Sequence, residues 1–219
     1  MQRLNDVYAK YRIPLLGLAA VGVVTFAVTA IHSPQRAWGN LLLDNFYFVS
    51  IALYGVVFVA LNYVLSAGWA VVFRRVPEAM TAYLPVGAAL MLAVFLGRSV
   101  LYPWADAEAV AESPALQHKA GYFDAYFVLM RMAVAFGVWT LFSLLLRRYS
   151  LRQDADGDLI HTRRSKSSSA IFLLLCAVTF IFSSIDWIMS LEPEWYSTIF
   201  PVYCCAGLLL GGSAALGVL

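Results

Sequence analysis

The stretch AIFLLLCAVTFIFSSIDWIMSLEPEWYST, residues 170–198, begins as an apolar run broken only by Thr and Ser, then carries a carboxylate at Asp186. A bilayer's hydrocarbon layer is about 30 Å thick and takes about 20 residues of helix to cross, so residues 170–191 are long enough to span it. A charge inside such a span costs at least ~2.5 kcal/mol on insertion scales. Asp186 therefore needs a partner or a task.

The same texture fills the rest of the chain. Hydrophobic residues make up 62% of the 219 and charged ones only 13%, with a mean hydropathy of +0.75. A soluble domain is nearer ~45–50% apolar and ~25% charged. Six spans are expected, at residues 13–31, 46–73, 83–102, 123–146, 170–191 and 198–219, in one transmembrane domain over 1–219. The fold class is all-α and polytopic. The first span exceeds the ~7–15 residues of a signal-peptide core and precedes no small-x-small cleavage site, so it counts as a span. Cys176, Cys204 and Cys205 all fall inside spans, form no CxxC pair and read as small buried side chains.

Charge sorts by membrane side. Arg3, Lys10, Arg12, Arg74, Arg75, Arg147, Arg148, Arg152, Arg163, Arg164 and Lys166 are eleven of the fifteen basic residues, and all lie on alternate connections. The other side has Arg36 and Lys119 beside Asp106, Glu108, Glu112, Glu192 and Glu194. The positive-inside rule then predicts a multi-pass protein with a cytoplasmic N-terminus and acidic loops facing outward. Such sorting points to a lipid bilayer, not to a nucleic acid. Residues 103–121 are expected to include a short surface helix, and residues 147–169 to form a cytoplasmic loop at the headgroups. Asp154, Asp156 and Asp158 suggest an EF-hand, but Leu159 and Ser165 stand where that loop needs Gly and Glu. Asp156-Gly157 reads instead as a tight hairpin turn.

The chain closes on GGSAALGVL with no polar flank, which suggests a piece of a longer protein. Gly207 and Gly211 form a GxxxG pattern, and with Gly212 they predict a face on which another helix packs. Asn62 and Ser66, four apart, read as hydrogen bonders between helices. Trp195 and Tyr196 read as interfacial anchors.

Arg98, Arg131 and Asp186 are the ionisable residues well inside spans. At about 1.5 Å rise per residue all three fall in the outer third of the membrane. Thr179, Ser183, Asp186 and Ser190 recur at helical spacing and share one face, a polar stripe rising to the outer surface. Asp124 and Arg131, seven apart, share a face of the fourth helix. One reading is structural, an Arg–Asp pair that holds helices in register, with Arg131 or Arg98 as partner. The other is a proton path through Asp186, which Glu192 and Glu194 continue to the outer side. Arg98 also lies near enough to the interface to snorkel. No catalytic residue stands out. Membrane b-haems need axial ligands inside spans, usually His, whereas His32 is at a span end and His118 and His161 are in connections. No metal or cofactor site is expected in this chain.

Asp186-Trp187, Met189-Ser190-Leu191-Glu192-Pro193, Trp195, Ser197 and Thr198 together resemble a motif of the integral-membrane F subunit of alternative complex III, the bacterial quinol:cytochrome c oxidoreductase. The basic N-terminus and helix order fit along most of the chain. The resemblance implies an NrfD-like helical bundle, of which these six spans would be the N-terminal part of a ten-helix subunit. It further implies a bacterial inner-membrane location and a respiratory assembly containing a multihaem cytochrome, an iron–sulfur subunit and an NrfD-like membrane subunit. The c-type haem, the iron–sulfur clusters and the quinol would then reside in those partners. This subunit would give support and a proton pathway while catalysing nothing alone. Two other classes stay open. One is a fragment of a secondary transporter, which would place its site at mid-membrane on broken helices; the other is a purely structural membrane subunit.

Overall fold

The computed structural model describes the backbone of residues 2–219 and the side chains of residues 11–219. Arg3 and Lys10, both counted toward the basic face, lie outside the described side chains. The described residues form no strand. Six long helices organise them: α1 (Gln2–His32), α2 (Pro34–Val64), α3 (Arg75–Leu96), α4 (Ala125–Asp156), α5 (Leu159–Trp187) and α6 (Phe200–Val218). Each contains a stretch long and apolar enough to cross a membrane. The chain is an all-α polytopic membrane protein.

α2 is the hub, with α1, α3, α5 and α6 packed around it and α4 behind α5. It reaches this position by starting twelve residues before the expected span. Pro34 suits a first helical turn because that turn has no use for its missing N–H. Only Ser33 separates α1 from α2, and its N–H donates back to the Thr29 carbonyl at 2.8 Å. At the other end α2 stops at Val64, short of the expected 73, because the backbone turns at Ser66 with φ +55°. The apolar residues beyond, Gly68–Val71, form a single 3-10 turn. Hydrophobicity continued through this point while the helix did not. α3 breaks after Leu96, and beyond Gly97 one more helical turn, Arg98–Leu101, carries the chain to the expected 102. A β-carbon on Gly97 would overlap the Trp38 indole of α2, so glycine there admits the ring.

Residues 147–169, expected as a loop, are helical. α4 runs on to Asp156 and α5 begins at Leu159. Gly157 takes the left-handed conformation (φ +70°) and its N–H returns to the Gln153 carbonyl at 2.8 Å, a glycine stop that needs no side chain. The Asp158 carboxylate then accepts from the Ile160 N–H at 2.8 Å and starts α5. Asp156-Gly157 does make a tight turn, but it joins two helices and not two strands. The segment is polar because these helices run past their apolar stretch, not because the chain is irregular. Residues 103–121 carry two short helices, Ala107–Glu112 and Pro114–Lys119, capped by Asp106 and Ser113.

Close packing rests on small residues and a few polar ties. Trp139 Nε1 donates to Thr179 Oγ1 at 2.9 Å across α4 and α5, and the Phe142 and Phe172 rings meet at 5.5 Å. Asn45 is buried between α2 and α3; its amide donates to the Gly87 carbonyl at 3.0 Å and accepts from the Tyr83 hydroxyl at 2.9 Å. Nothing in the sequence pattern singled out Asn45. On α6 the packing glycine is Gly212, where a β-carbon would overlap the Tyr54 ring. Next to it, Ser213 Oγ donates to the Tyr54 hydroxyl at 2.9 Å. Gly211 is in ordinary contact range of Tyr47, and Gly207 has open space around it. The expected packing face is thus centred on Gly212 and leaves Gly207 out. Gly212→Ala should cost about 1–3 kcal/mol by overpacking, and Gly207→Ala should stay within about 0.5 kcal/mol. Denaturant unfolding of the two variants in detergent checks this.

Candidate functional site: a buried ion pair at the end of the α4–α5 hairpin

Asp186 sits in the last turn of α5, and Arg131 lies two turns into α4. Antiparallel packing of the hairpin brings them to the same level. Arg131 Nε donates to Asp186 Oδ2 at 2.6 Å and its Nη2 donates to Oδ1 at 3.0 Å, so both carboxylate oxygens meet the fork of one guanidinium. The sequence left Arg131 and Arg98 open as partners; the partner is Arg131. Asp186 is 1% exposed, and the Arg131 side chain 21%. A bidentate pair satisfies carboxylate and guanidinium geometry together, which makes a desolvated charge tolerable.

Further contacts hold the pair in place. Arg131 Nη2 also donates to the Tyr122 carbonyl at 3.0 Å, and its guanidinium lies 4.2 Å from the Tyr122 ring centroid. Ser190 Oγ donates to the Asp186 backbone carbonyl at 2.6 Å, and the Tyr102 hydroxyl donates to the Trp187 carbonyl at 2.9 Å. Trp187 stacks on Phe136 at 5.6 Å and meets Trp139 edge-on at 6.0 Å. Above, Trp104 stacks between Tyr102 and Phe123. Burial pushes the Tyr122 phenol up from its ordinary pKa and the nearby Asp186 charge adds to this, while Arg131 opposes it. Its hydroxyl is buried without a hydrogen bond of good geometry. A cavity of about 10 Å³ touches Asp186, at the lower limit for a single water.

The other expected site residues do different work. Arg98 follows the end of α3, donates to the Phe95 carbonyl at 3.3 Å and lies 4.8 Å from the Phe95 ring centroid. It makes no ion pair among the described residues, and Asp186 is not its partner. Asp124 caps α4, accepting from the Tyr126 and Phe127 N–H groups at 3.0 and 3.2 Å. It caps the helix that carries Arg131 and makes no hydrogen bond or ion pair with it among the described residues. Of the expected stripe, Thr179, Ser183 and Asp186 lie on α5, with Ser183 buried, whereas Ser190 falls past its end in the 3-10 turn Met189–Leu191. Thr179 is bound to Trp139 and donates to the Leu175 carbonyl at 2.8 Å. Among the described residues no hydrogen bond joins the side chain of one stripe member to the side chain of the next; Ser190 reaches only the Asp186 backbone carbonyl.

Glu192 and Glu194 are exposed on the loop beyond α5. Glu194 meets the Ser113 hydroxyl at 3.5 Å, and Lys119 Nζ donates to the Pro193 carbonyl at 2.6 Å. These contacts clip the loop to residues 103–121 and make none with Asp186. Asn62 bonds the Phe58 carbonyl of its own helix, whereas Ser66 does bond across helices, to Lys166. Among the described residues no group of three or more His, Cys, Asp or Glu is placed to hold a metal ion. The missed contributors, Tyr102 and Tyr122, lie in connections where aromatic residues carry no periodic signal.

Removing one member of a buried ion pair strands the other, so Asp186→Ala and Arg131→Ala should each cost about 3–5 kcal/mol. Arg131→Met with Asp186→Leu should recover most of that loss, because no charge is then left unpaired. Arg98→Gln should stay within about 0.5 kcal/mol. Detergent unfolding of the single and double variants measures the coupling.

No protein-family model matches the chain, and no curated protein matches it. Its functional reading rests on the motif around Asp186 and on the geometry of the ion pair.

Proposed function

We propose that this chain is a membrane subunit of a bacterial respiratory quinol:electron-acceptor oxidoreductase of the alternative complex III kind. In this reading it lies in the inner membrane with its N-terminus in the cytoplasm. It supports the assembly and turns over nothing alone. Haem, iron–sulfur clusters and quinol belong to the partners: the multihaem cytochrome, the iron–sulfur subunit and the NrfD-like membrane subunit.

The observation that carries the reading is the bidentate Arg131–Asp186 pair at the motif-bearing end of α5. Residues of the motif recur in the contacts around it. Asp186 binds Arg131, the Trp187 carbonyl takes Tyr102, and Ser190 holds the Asp186 carbonyl. A buried carboxylate beside one guanidinium exchanges a proton when a neighbouring charge changes, and Arg131 sets the potential at which it does so.

A purely structural role is the second reading, and the occupation of both Asp186 oxygens by Arg131 favours it. A pair so engaged is first a clamp between α4 and α5.

Asp186→Asn separates the two readings. In reconstituted assemblies the proton-path reading expects full assembly, slower quinol oxidation and fewer protons released per quinol. Full assembly with wild-type turnover and proton stoichiometry would leave Asp186 a structural ion.

A further inference from the structure

On the face opposite the ion pair, α2 does not run straight on. Ser66 is the one non-glycine residue with positive φ among the described residues, a conformation that costs an L-residue free energy and recurs at functional turns. Beyond it the chain detours through the 3-10 turn Gly68–Val71 before entering α3 at Arg75. The detour leaves a cleft of about 290 Å³ between the end of α2 and the start of α5. Arg74, Lys166, Asp154, Ser66, Asn62 and Gln153 are among the residues that line it.

The charges in and around the cleft do not cancel. Glu78 and Asp154 are matched by Arg74 and Arg75: Arg75 pairs with both carboxylates, while Arg74 lies 3.6 Å from Glu78 and 3.8 Å from Asp154. Lys166 is the surplus cation, with exposed Arg163 and Arg164 beside it on α5. It gives one N–H to Ser66 Oγ at 2.9 Å, and an ammonium has three. Arg74 is fixed in place, donating to the Tyr63 hydroxyl at 2.7 Å with its guanidinium 5.5 Å from the ring centroid. Its Nε is the atom that faces Glu78 Oε1 at 3.6 Å, and among the described residues it makes no closer hydrogen bond.

Apolar surface adjoins this polar wall. A smaller cavity of about 30 Å³ shares Asn62, Tyr63 and Arg74 with the cleft and continues along Phe58, Val59 and Ala70. Val71 lines both cavities, and Trp69 and Val72, on either side of it in sequence, are exposed. Cations and hydroxyls beside an apolar slot, at the end of membrane-length helices, are the two halves of a phospholipid site.

We propose that this cleft binds the headgroup of an anionic phospholipid, with Lys166 facing the phosphate, Arg74 forming the wall behind it, and an acyl chain lying past Trp69 and Val71. Free phosphate would have no use for the apolar half. Ser66 is the hinge that opens the site, and its hydroxyl aims Lys166 into it.

Native mass spectrometry of the purified full chain in detergent tests the proposal, with phosphatidylglycerol and phosphatidylcholine as probes. Phosphatidylglycerol should be retained in preference to phosphatidylcholine. Lys166→Gln should weaken its retention about fivefold, the effect of one basic residue near an anionic headgroup. Lys166→Arg should keep it, and so should Arg147→Gln, which removes a cation elsewhere on the same face. Lys166 is exposed, so neither substitution at that position should disturb folding, and an unchanged unfolding transition verifies this. Inorganic phosphate in large excess should not displace the lipid. Equal retention of both lipids, equal retention by Lys166→Gln, loss in Lys166→Arg or Arg147→Gln, or displacement by phosphate would each overturn the proposal.

Discussion

A carboxylate inside a membrane span must be neutralised, paired or hydrated, and here it is paired. Arg131 meets both oxygens of Asp186, and the rest of the hairpin is arranged so that it can. At the opposite end Gly157 and Asp158 reverse the chain in two residues, which sets α4 and α5 antiparallel with almost no slack. Trp139–Thr179 and Gln153–Thr162 tie the two helices at intermediate levels. A one-residue slip would rotate a helix by about 100° and carry Asp186 away from its guanidinium. The ion pair and the glycine turn therefore define the same register from its two ends.

The aromatic surround gives that pair its character. Trp187, Phe136 and Trp139 close it from below, and Tyr102, Trp104 and Phe123 from above. Excluding water strengthens the attraction and raises the penalty for breaking it. α2 provides the frame, taking α3 through Asn45 and α6 through Gly212, so that α5 has a fixed wall to lie against.

Much of this was legible from residue types alone. Apolar length separates the six spans, and a lone aspartate facing two possible arginines announces a charge problem. The choice between Arg131 and Arg98 was not legible, because depth along a helix says nothing about azimuth or about where α3 ends. Arg98 falls past that end, beyond the Gly97 position that admits Trp38. Polarity in residues 147–169 suggested a loop, yet helices that outrun the hydrocarbon become polar without unwinding. The reverse happened after Val64, where apolar residues continued and the backbone turned aside at Ser66. Asp124 shares a periodic face with Arg131 but is spent as a cap, a role that depends on where the helix starts. The Gly207–Gly211 spacing pointed at a helix contact one residue away from the glycine that makes it, since the Tyr54 ring selects the azimuth.

The central claim is that Asp186 rests as an ionised partner of Arg131. Infrared spectroscopy of the protein in membranes at neutral pH tests it directly, by comparing the carbonyl-stretch region of the wild type with that of Asp186→Asn. The account predicts that no protonated-carboxyl band disappears with the substitution, and that a carboxylate band does. Loss of a protonated-carboxyl band would show Asp186 neutral at rest, and the clamp between α4 and α5 would then not be an ion pair.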